Sequence, residues 1–247
     1  MNNAQNKFYT SISNYYAEIF PYKPVQLKFV KNKIGNLGGK QILDIGCATG
    51  ELAFQIAKLG AEVVAIDLNG DLLNKARKNK IHSTLNFQQK NMLEIKNDFA
   101  AGQFDAVLCF GNTLVHLQTV ELVQQMLEGV NSVLKTGGRL LIQILNYDYI
   151  CGEQVSELPL IETENIRFIR KYKFQEESKL IRFQTVLEIK EENFRVFNET
   201  LLLALKSKEL EFLLKDTGFS NIQLFSNFKQ DNFGGKHLPF VLSCEKN

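Results

Sequence analysis

The segment ILDIGCATGELA, residues 42–53, constrains the fold of this chain more than any other segment. It is an apolar run that ends in an acid, passes through a turn of small residues between Gly46 and Gly50, and continues into a helical pattern. A strand, a tight turn and a helix in this order form the first unit of a parallel α/β sheet. Because such sheets bind ligands at the carboxyl ends of their strands, the segment predicts a ligand site as well as a fold.

Short apolar strands alternate with helices through the first part of the chain. Strands are predicted over residues 41–45, 62–66, 85–88, 104–110 and 139–145, and helices over residues 50–59, 70–79 and 118–134. Asn69 is expected to cap the second of these helices, and residues 136–138 to form a turn. This alternation is typical of a parallel, doubly wound sheet.

The alternation breaks in the second part of the chain. Three β-rich runs lie between residues 166 and 205, separated by the polar turns QEES (175–178) and EEN (191–193). This pattern predicts an antiparallel meander inserted into the parallel domain. The main fold is then expected to resume with a helix over residues 207–217 and strands near 221–228 and 238–244.

The first 40 residues predict helices in place of strands. Aromatic residues recur at roughly helical spacing over residues 4–20, and a second short helix is expected near residues 25–34. This segment has no apolar stretch behind a basic start, and no apolar run of membrane-spanning length follows it. We therefore expect a cytoplasmic location.

The composition excludes several classes of function. The 247 residues are 45% hydrophobic, which suits one α/β domain, and 29 basic residues nearly balance 27 acidic ones. We therefore expect neither a nucleic-acid partner nor a membrane surface as a partner. The four cysteines are far apart and form no C-x-x-C pair, and the three histidines are scattered, so we expect no metal site.

The turn after the first strand departs from both common phosphate-binding motifs. Its glycines are spaced G-x-x-x-G, whereas dinucleotide sites use G-x-G-x-x-G and P-loops end in GK[ST]. Asp44 at the strand end suits a ligand with a positive ammonium group. Asp67 ends the next strand, 21 residues after Gly46, where Rossmann-like folds place the acid that binds a ribose diol. An ammonium group together with a ribose indicates S-adenosylmethionine.

At LDIGCATG and AIDLN the sequence resembles the class I S-adenosylmethionine-dependent methyltransferases. The resemblance implies that Asn91 meets the adenine amino group and that Met92 packs on the adenine ring. It also implies that an aromatic residue of the N-terminal helix covers the cofactor. The cofactor-binding residues expected on this basis are Tyr16, Asp44, Gly46, Cys47, Ala48, Gly50, Asp67, Leu68, Asn91, Met92, Phe110 and Gly111.

The resemblance implies a complete architecture. We expect an α/β fold, a Rossmann-like seven-stranded methyltransferase sheet, with an antiparallel β meander inserted as a lid between the fifth strand and its following helix. Residues 1–40 are expected to form an N-terminal helical cover, residues 41–150 and 206–247 the cofactor-binding core, and residues 151–205 the inserted lid. The lid is expected to roof the acceptor pocket.

Two further segments, GNTLVHL (111–117) and NYDYI (146–150), look like those of glycine and sarcosine N-methyltransferases. This narrower resemblance implies that Asn112, His116 and Tyr147 line the acceptor pocket and position the acceptor. In that family an arginine directly precedes the Asn-Tyr-Asp and grips the carboxylate of glycine, but this chain has Leu145 there. We therefore expect a small-molecule acceptor, an amine other than glycine, and no obligatory strong base.

Other interpretations stay open at this point. A methyltransferase acting on nucleic acid or protein is one alternative, although the loop FGNT after the fourth strand is not the N/D-P-P-Y/F loop of base-aminomethylating enzymes. A non-catalytic module that only binds the cofactor is another. The two glycines could serve only a tight turn, and His116 and the N-terminal aromatic residues could serve only packing.

Overall fold

The computed structural model describes residues 3–175 and 178–247 of the chain. Helices in this part of the chain are α1 (Asn3–Ile12), α2 (Tyr16–Ile19), α3 (Pro24–Ile34), α4 (Glu51–Ala57), α5 (Gly70–Asn79), α6 (Ile95–Asp98), α7 (Val120–Val133), α8 (Tyr147–Gly152) and α9 (Ser207–Asp216). Strands are β1 (Gln41–Ile45), β2 (Glu62–Asp67), β3 (Leu85–Gln89), β4 (Phe104–Cys109), β5 (Leu134–Leu145), β6 (Ile161–Glu162), β7 (Ile166–Lys173), β8 (Leu180–Ile189), β9 (Phe194–Leu203), β10 (Phe219–Phe225) and β11 (Pro239–Lys246). Single 3₁₀ turns occupy Ser13–Tyr15 and Leu114–His116.

Seven strands form the main sheet, in the order β10-β11-β5-β4-β1-β2-β3. The pairs β1–β2, β1–β4, β2–β3 and β4–β5 are parallel, and β11 pairs antiparallel with both β5 and β10. The chain order reverses between β1 and β4, which is the point where doubly wound sheets bind their ligands. The seven-stranded Rossmann-like sheet predicted from the sequence is confirmed.

The central strands are apolar on both faces because helices cover the sheet on both sides. Ile42 and Leu43 of β1 are both fully buried but belong to different apolar clusters, since successive side chains of a strand point to opposite faces. The cluster of Leu43 includes residues of α7 and α9, and the cluster of Ile42 includes residues of α3 and α4. This continuous burial explains why the strands appear in the sequence as unbroken apolar runs.

A second, antiparallel sheet has the strand order β6-β7-β8-β9, and we call it the lid sheet. Its strands β7, β8 and β9 pair in long registers, from Ile166 opposite Ile189 to Leu180 opposite Leu203. At one end, its inner face packs against the N-terminal helices, where Phe8, Ile12 and Ile19 share a cluster with residues of β7 and β8. The N-terminal helices and the lid sheet therefore form one packed unit above the carboxyl edge of the main sheet.

Several sequence predictions are corrected by the structure. Residues 146–150, at which the sequence predicts no helix, include the start of helix α8, where the Asn146 side chain accepts the N–H of Tyr149 at 3.2 Å. The insertion therefore follows α8 and not β5 directly. Residues 136–138, predicted as a turn, lie within the irregular start of β5, where Gly137 has a φ of +74°. The helical stretch predicted over residues 4–20 is divided into α1, the first 3₁₀ turn and α2.

Another sequence prediction is confirmed, and some predictions concern residues that the structure does not describe. The Asn69 side chain caps α5 by accepting the N–H of Leu72 at 3.0 Å, as predicted. Part of the predicted turn at residues 175–178 falls on residues 176–177, outside the described residues, as do residues 1–2 of the predicted N-terminal cover. No helix in residues 3–175 and 178–247 is long and apolar enough to cross a membrane.

Candidate functional site

A cavity opens at the carboxyl ends of β1, β2 and β4, at the point where the strand order reverses. It holds about 650 Å³ of empty space, part of it open to solvent. Its wall consists of Gln5, Asn6, Tyr9, Tyr16, Ile45, Gly46, Ala48, Ile66, Asp67, Leu68, Asn69, Leu72, Lys90, Met92, Gly111, Thr113 and His116. The strands supply the floor, and α1 and α2 supply one side.

The turn after β1 is held to the end of β2 by its backbone. The N–H groups of Gly46 and Cys47 both donate to the carbonyl of Ile66, at 2.8 and 3.0 Å. Gly46 has a φ of +72°, and a Cβ atom there would lie 2.4 Å from Oγ1 of Thr113. Only glycine meets both conditions, so this turn can pass close beneath the loop that follows β4.

Asp67 lies at the end of β2 with both carboxylate oxygens fixed. Oδ2 accepts the N–H of Ala48 at 2.9 Å, and Oδ1 accepts the N–H of Asn69 at 2.8 Å. Burial raises the pKa of this carboxyl, against the lowering effect of the backbone N–H groups. Because a carboxylate has about four acceptor positions, each oxygen keeps capacity for one more hydrogen bond. The side chain is thus oriented to accept two hydroxyl groups.

Asp44, one strand nearer the centre of the sheet, is only 4% exposed. No hydrogen bond or ion pair from the described residues reaches its carboxylate. Burial, and then the charge of Asp67, raises the pKa of this carboxyl to about 7. A carboxylate in this state gains stability from a cation, which is the chemistry expected of a partner for an ammonium group.

Substituting asparagine for Asp44 is expected to stabilise the ligand-free protein at alkaline pH. The folded protein binds this proton more tightly than the unfolded chain does, since the pKa rises from 3.8 to about 7. The carboxyl therefore contributes stability below pH 4 that is lost as pH rises to 7. The difference in melting temperature between Asp44→Asn and the wild type should increase over this range. At pH 8 the variant should melt about 3 °C or more above the wild type. A difference that does not change with pH would contradict the assignment.

Polar contacts hold helix α1 over the cavity. The side-chain amide of Asn69, which is 2% exposed, donates to Oδ1 of Asn6 at 2.8 Å and to Oγ1 of Thr10 at 3.0 Å. The Thr10 hydroxyl in turn donates to Asp71 at 2.7 Å. One asparagine therefore both caps α5 and fixes the cover to the sheet.

Tyr9 and His116 form a hydrogen-bonded pair in the cavity wall. The Tyr9 hydroxyl and His116 Nε2 are 2.8 Å apart, although 107 residues separate them in sequence. Burial lowers the pKa of His116 to about 4, so the imidazole is neutral near pH 7. Burial also raises the pKa of the Tyr9 hydroxyl. The pair therefore offers neutral hydrogen-bonding groups and only a weak base.

Asn112 and Tyr147 meet at the junction of β4 and β5, outside the cavity wall. Asn112 Oδ1 accepts the N–H of Leu145 at 2.9 Å, and Asn112 Nδ2 donates to the Tyr147 hydroxyl at 3.2 Å. Tyr147 is fully buried, and burial raises its pKa to about 12. Of the three predicted acceptor-positioning residues, only His116 lines the cavity, while the other two brace the loop beside it.

The predicted cofactor-binding residues divide into two groups. Those in the cavity wall are Tyr16, Gly46, Ala48, Asp67, Leu68, Met92 and Gly111. Those outside it are Asp44, Cys47, Gly50, Asn91 and Phe110.

Local packing accounts for some residues of the second group. A Cβ atom at Gly50 would lie 2.4 Å from the ring of Phe87, and Asn91 Oδ1 accepts the N–H of Leu93 at 3.1 Å.

Sequence reasoning missed nine residues of the wall. They are Gln5, Asn6, Tyr9, Ile45, Ile66, Asn69, Leu72, Lys90 and Thr113. Some directly precede predicted residues, such as Ile45 before Gly46, and could have been found from the strand ends. The sequence predicts a helix here but does not show which residues of α1 face the cavity, because only the tertiary fold brings them to the sheet.

No group of three or more His, Cys, Asp or Glu side chains in the described part of the chain could hold a metal ion. The four cysteines are free thiols. The fixed carboxylate of Asp67 and the buried carboxyl of Asp44 suit a ligand that combines a diol and a cation.

Comparison with known proteins gives a family match. Residues 37–216 match the model of a family described as a methyltransferase domain. The ubiquinone biosynthesis O-methyltransferase of Xanthomonas euvesicatoria pv. vesicatoria (strain 85-10) is 34% identical over 126 residues, which is 50% of each chain. The chain spans about half the length of the curated relatives it matches.

Solved structures share the fold at low sequence identity. A S-adenosylmethionine-dependent methyltransferase from Clostridium acetobutylicum ATCC 824 superposes with a TM-score of 0.79 at 17% identity, over 99% of this chain and 100% of that one. The SAM-bound amino pentose methyltransferase CalS10 from Micromonospora echinaspora superposes with a TM-score of 0.64 at 16% identity, over 88% of this chain and 89% of that one.

Proposed function

Because the chain belongs to the class I S-adenosylmethionine-dependent methyltransferases, we propose that it transfers the methyl group of S-adenosylmethionine to a small-molecule acceptor. The observation that carries the proposal is the arrangement of Asp67 at the edge of the cavity. Its two oxygens are oriented by backbone N–H groups and retain acceptor capacity for a ribose diol.

The residues present fit the rest of this cofactor. Asp44 is a buried carboxylate without a cationic partner among the described residues, which suits the ammonium of the methionine portion. The turn at Gly46 lies beside it, and Met92 is an apolar wall for the adenine ring. Tyr9 and Tyr16 close the cavity on the side of the cover.

Methyl transfer requires little of the protein beyond positioning the nucleophile and the methyl group. When bound, S-adenosylmethionine supplies a methyl group on a sulfonium whose neutral thioether leaves readily. The chain's contribution is to exclude water and to hold a nucleophile in line with that methyl group. The neutral His116 and the Tyr9 hydroxyl can hydrogen-bond an acceptor at the cavity wall, while Asn112 and Tyr147 fix the loop that carries His116.

We expect the acceptor atom to be an amine nitrogen. The resemblance of residues 111–117 and 146–150 to glycine and sarcosine N-methyltransferases supports this, as does the name of a structural neighbour, the sugar N-methyltransferase KedS8. Transfer to a hydroxyl oxygen is the second candidate, because the curated relatives include ubiquinone biosynthesis O-methyltransferases. Parallel assays with matched amine and alcohol acceptors distinguish the two.

Glycine is expected to be a poor substrate. Leu145 stands where the resembling family has an arginine, and an alkyl group cannot replace a charge-assisted pair with a carboxylate. Steady-state kinetics with glycine should therefore give a kcat/KM well below about 10⁴ M⁻¹s⁻¹, which is the lower end for ordinary enzymes. Turnover of glycine above that value would contradict the prediction.

Calorimetry tests the cofactor assignment itself. We expect saturable binding of both S-adenosylmethionine and S-adenosylhomocysteine to the purified protein, and no binding of NAD, because the turn at Gly46 lacks the glycine spacing for a pyrophosphate. Preferential binding of NAD would replace the proposal with an oxidoreductase.

A further inference from the structure

The inner face of the lid sheet carries a patch of polar side chains. We call Arg170, Tyr172, Thr185 and Thr200 the lid polar patch. Arg170 of β7 is opposite Thr185 of β8, and Tyr172 is opposite Phe183, which is itself opposite Thr200 of β9. Since alternate residues of a strand share a face, the patch spans three neighbouring strands on one face of the sheet.

The patch contains most of the unsatisfied polar atoms in the described structure. Buried side-chain atoms without a hydrogen-bond partner among residues 3–175 and 178–247 are His116 Nδ1, Arg170 Nε, Tyr172 Oη, Thr185 Oγ1, Thr200 Oγ1 and Ser243 Oγ. Four of these six belong to the patch, and a fifth belongs to His116 in the cavity wall. Buried polar groups without partners are costly and uncommon, so their concentration on one surface indicates a ligand.

Three residues of the patch are almost completely buried, whereas Arg170 is half-buried. Tyr172, Thr185 and Thr200 are 3%, 2% and 3% exposed. Burial, and then the neighbouring Tyr147 hydroxyl, raises the pKa of Tyr172. Beyond this neighbour, no described residue is a hydrogen-bond partner of the Tyr172 hydroxyl. These hydroxyl groups therefore point into the protein and not into solvent.

The patch lies between two apolar contacts of the lid sheet. On one side, Phe168 and Leu187 pack with the N-terminal helices, and on the other side Ile181 and Leu202 belong to the main core, while Phe183 packs against both clusters. Arg170 and Thr185 therefore place polar groups between apolar positions of the same face. Burial of such groups without partners costs free energy, which a ligand that hydrogen-bonds them would recover.

The patch lies next to the proposed reaction site. Phe183 of the patch's middle strand contacts Phe8 at 6.2 Å between ring centroids, and Phe8 contacts Tyr9 of the cavity wall at 4.8 Å. On the other side, Tyr172 faces Tyr147, which hydrogen-bonds Asn112 beside the cavity. None of the four patch residues lines the cavity wall, so an acceptor has to extend beyond the cavity toward the lid sheet to reach them.

Arg170 is the charged side chain of the patch. Its Nη2 donates to the carbonyl of Pro159 at 2.7 Å, its Nε is buried without a partner, and no carboxylate in the described residues is within ion-pair distance. Arg182 and Arg195, by contrast, form ion pairs with Glu199 and Glu188. A half-buried guanidinium that lacks an anion is stabilised by one, and its planar edge matches the two oxygens of a carboxylate.

We propose that the methyl acceptor carries a carboxylate and that the lid polar patch binds it, through Nε of Arg170 and the hydroxyl groups of Tyr172 and Thr185. This inference rests on the proposed methyltransferase function. The cation lies on the lid sheet, beyond Tyr147 and Tyr172 from Asn112, and not at the end of β5. The acceptor is therefore longer than glycine, with its carboxylate several bonds away from the atom that is methylated.

The test compares carboxylates with their neutral carboxamides. Probes are the straight-chain ω-amino acids of two to six carbons and the three aminobenzoates, each with its carboxamide, titrated by calorimetry into protein saturated with S-adenosylhomocysteine. We expect at least one carboxylate to bind more than tenfold more tightly than its carboxamide, and glycine to bind more weakly than the longer amino acids. If no carboxylate is preferred, the patch holds buried water in place of an anion and the proposal is overturned.

Matched variants show which residue is responsible for the preference for the carboxylate. Arg170→Gln should abolish the preference for the carboxylate, whereas Arg167→Gln, an exposed arginine on the other face of β7, should retain it. Tyr172→Phe removes only one hydroxyl and should weaken the carboxylate severalfold without changing S-adenosylhomocysteine binding. If Arg170→Gln still prefers the carboxylate, the assignment is wrong. If this variant does not fold, the comparison of carboxylate and carboxamide binding to the wild-type protein decides the question.

The methyltransferase function and the carboxylate site can be disproved independently of each other. If wild-type protein does not bind S-adenosylhomocysteine, the methyltransferase function fails. If it binds S-adenosylhomocysteine but discriminates against no carboxamide, only the carboxylate site fails.

Discussion

Substituting alanine for Gly46 is expected to lower the affinity for S-adenosylmethionine about a hundredfold. The φ of +72° disfavours any side chain, and the new Cβ atom would lie 2.4 Å from Oγ1 of Thr113. Thr113 cannot readily yield, because its hydroxyl donates to the carbonyl of Phe110 at 2.7 Å. The turn must therefore shift, at a cost of about 3 kcal/mol for strain and overpacking together, which corresponds to about a hundredfold.

A second glycine supplies the control for this experiment. Gly39 has nearly the same φ, +73°, but a Cβ atom there would meet nothing within 4 Å. Gly39→Ala therefore carries the backbone strain without the collision and should bind the cofactor as the wild type does. Equal affinities of the Gly46→Ala and Gly39→Ala proteins, measured by calorimetry, would show that the turn does not hold the cofactor.

Substituting alanine for Asp67 is expected to weaken cofactor binding by well over tenfold. The substitution removes a carboxylate that is proposed to accept two ribose hydroxyls, at about 1.5 to 3 kcal/mol for each charged hydrogen bond lost. It also leaves the N–H groups of Ala48 and Asn69 without their acceptor, so the turn at Ala48 loses its anchor.

Asp216→Ala is the matched control for the change of charge. This carboxylate ends helix α9 and is not in the cavity wall, so its removal should leave the affinity unchanged. Titrations with S-adenosylhomocysteine at one pH measure all three proteins. Wild-type affinity in the Asp67→Ala protein would remove Asp67 from the site.

The sequence predicted the parts of the site that lie directly at strand ends. Gly46 and Asp67 each follow an apolar strand directly, and the carboxyl ends of neighbouring parallel strands meet at one edge. Pairing of the two strands therefore places Gly46 next to Asp67, and this can be predicted without knowledge of the remaining fold. The same reasoning explains why the boundaries of helix α5 were predicted correctly, since Asn69 signals its start locally.

The remaining part of the site depends on contacts distant in sequence. Tyr9 meets His116 across 107 residues, and Asn69 holds Asn6 across 63 residues. No periodicity of α1 shows which of its residues will face the cavity. The role proposed for Arg170 could not be predicted either, because the alternation along β7 indicates two faces but not which of them is covered.

Transfer of a labelled methyl group tests the central proposal most directly. The protein is incubated with S-adenosylmethionine labelled in its methyl group and a mixture of small metabolites, and mass spectrometry follows both S-adenosylhomocysteine and the labelled product. We expect S-adenosylhomocysteine in equal amount to a labelled small molecule that carries a carboxylate, with both nearly absent for Asp67→Ala. Label found only in added protein or nucleic acid, or no S-adenosylhomocysteine above the Asp67→Ala level with any mixture, would contradict it.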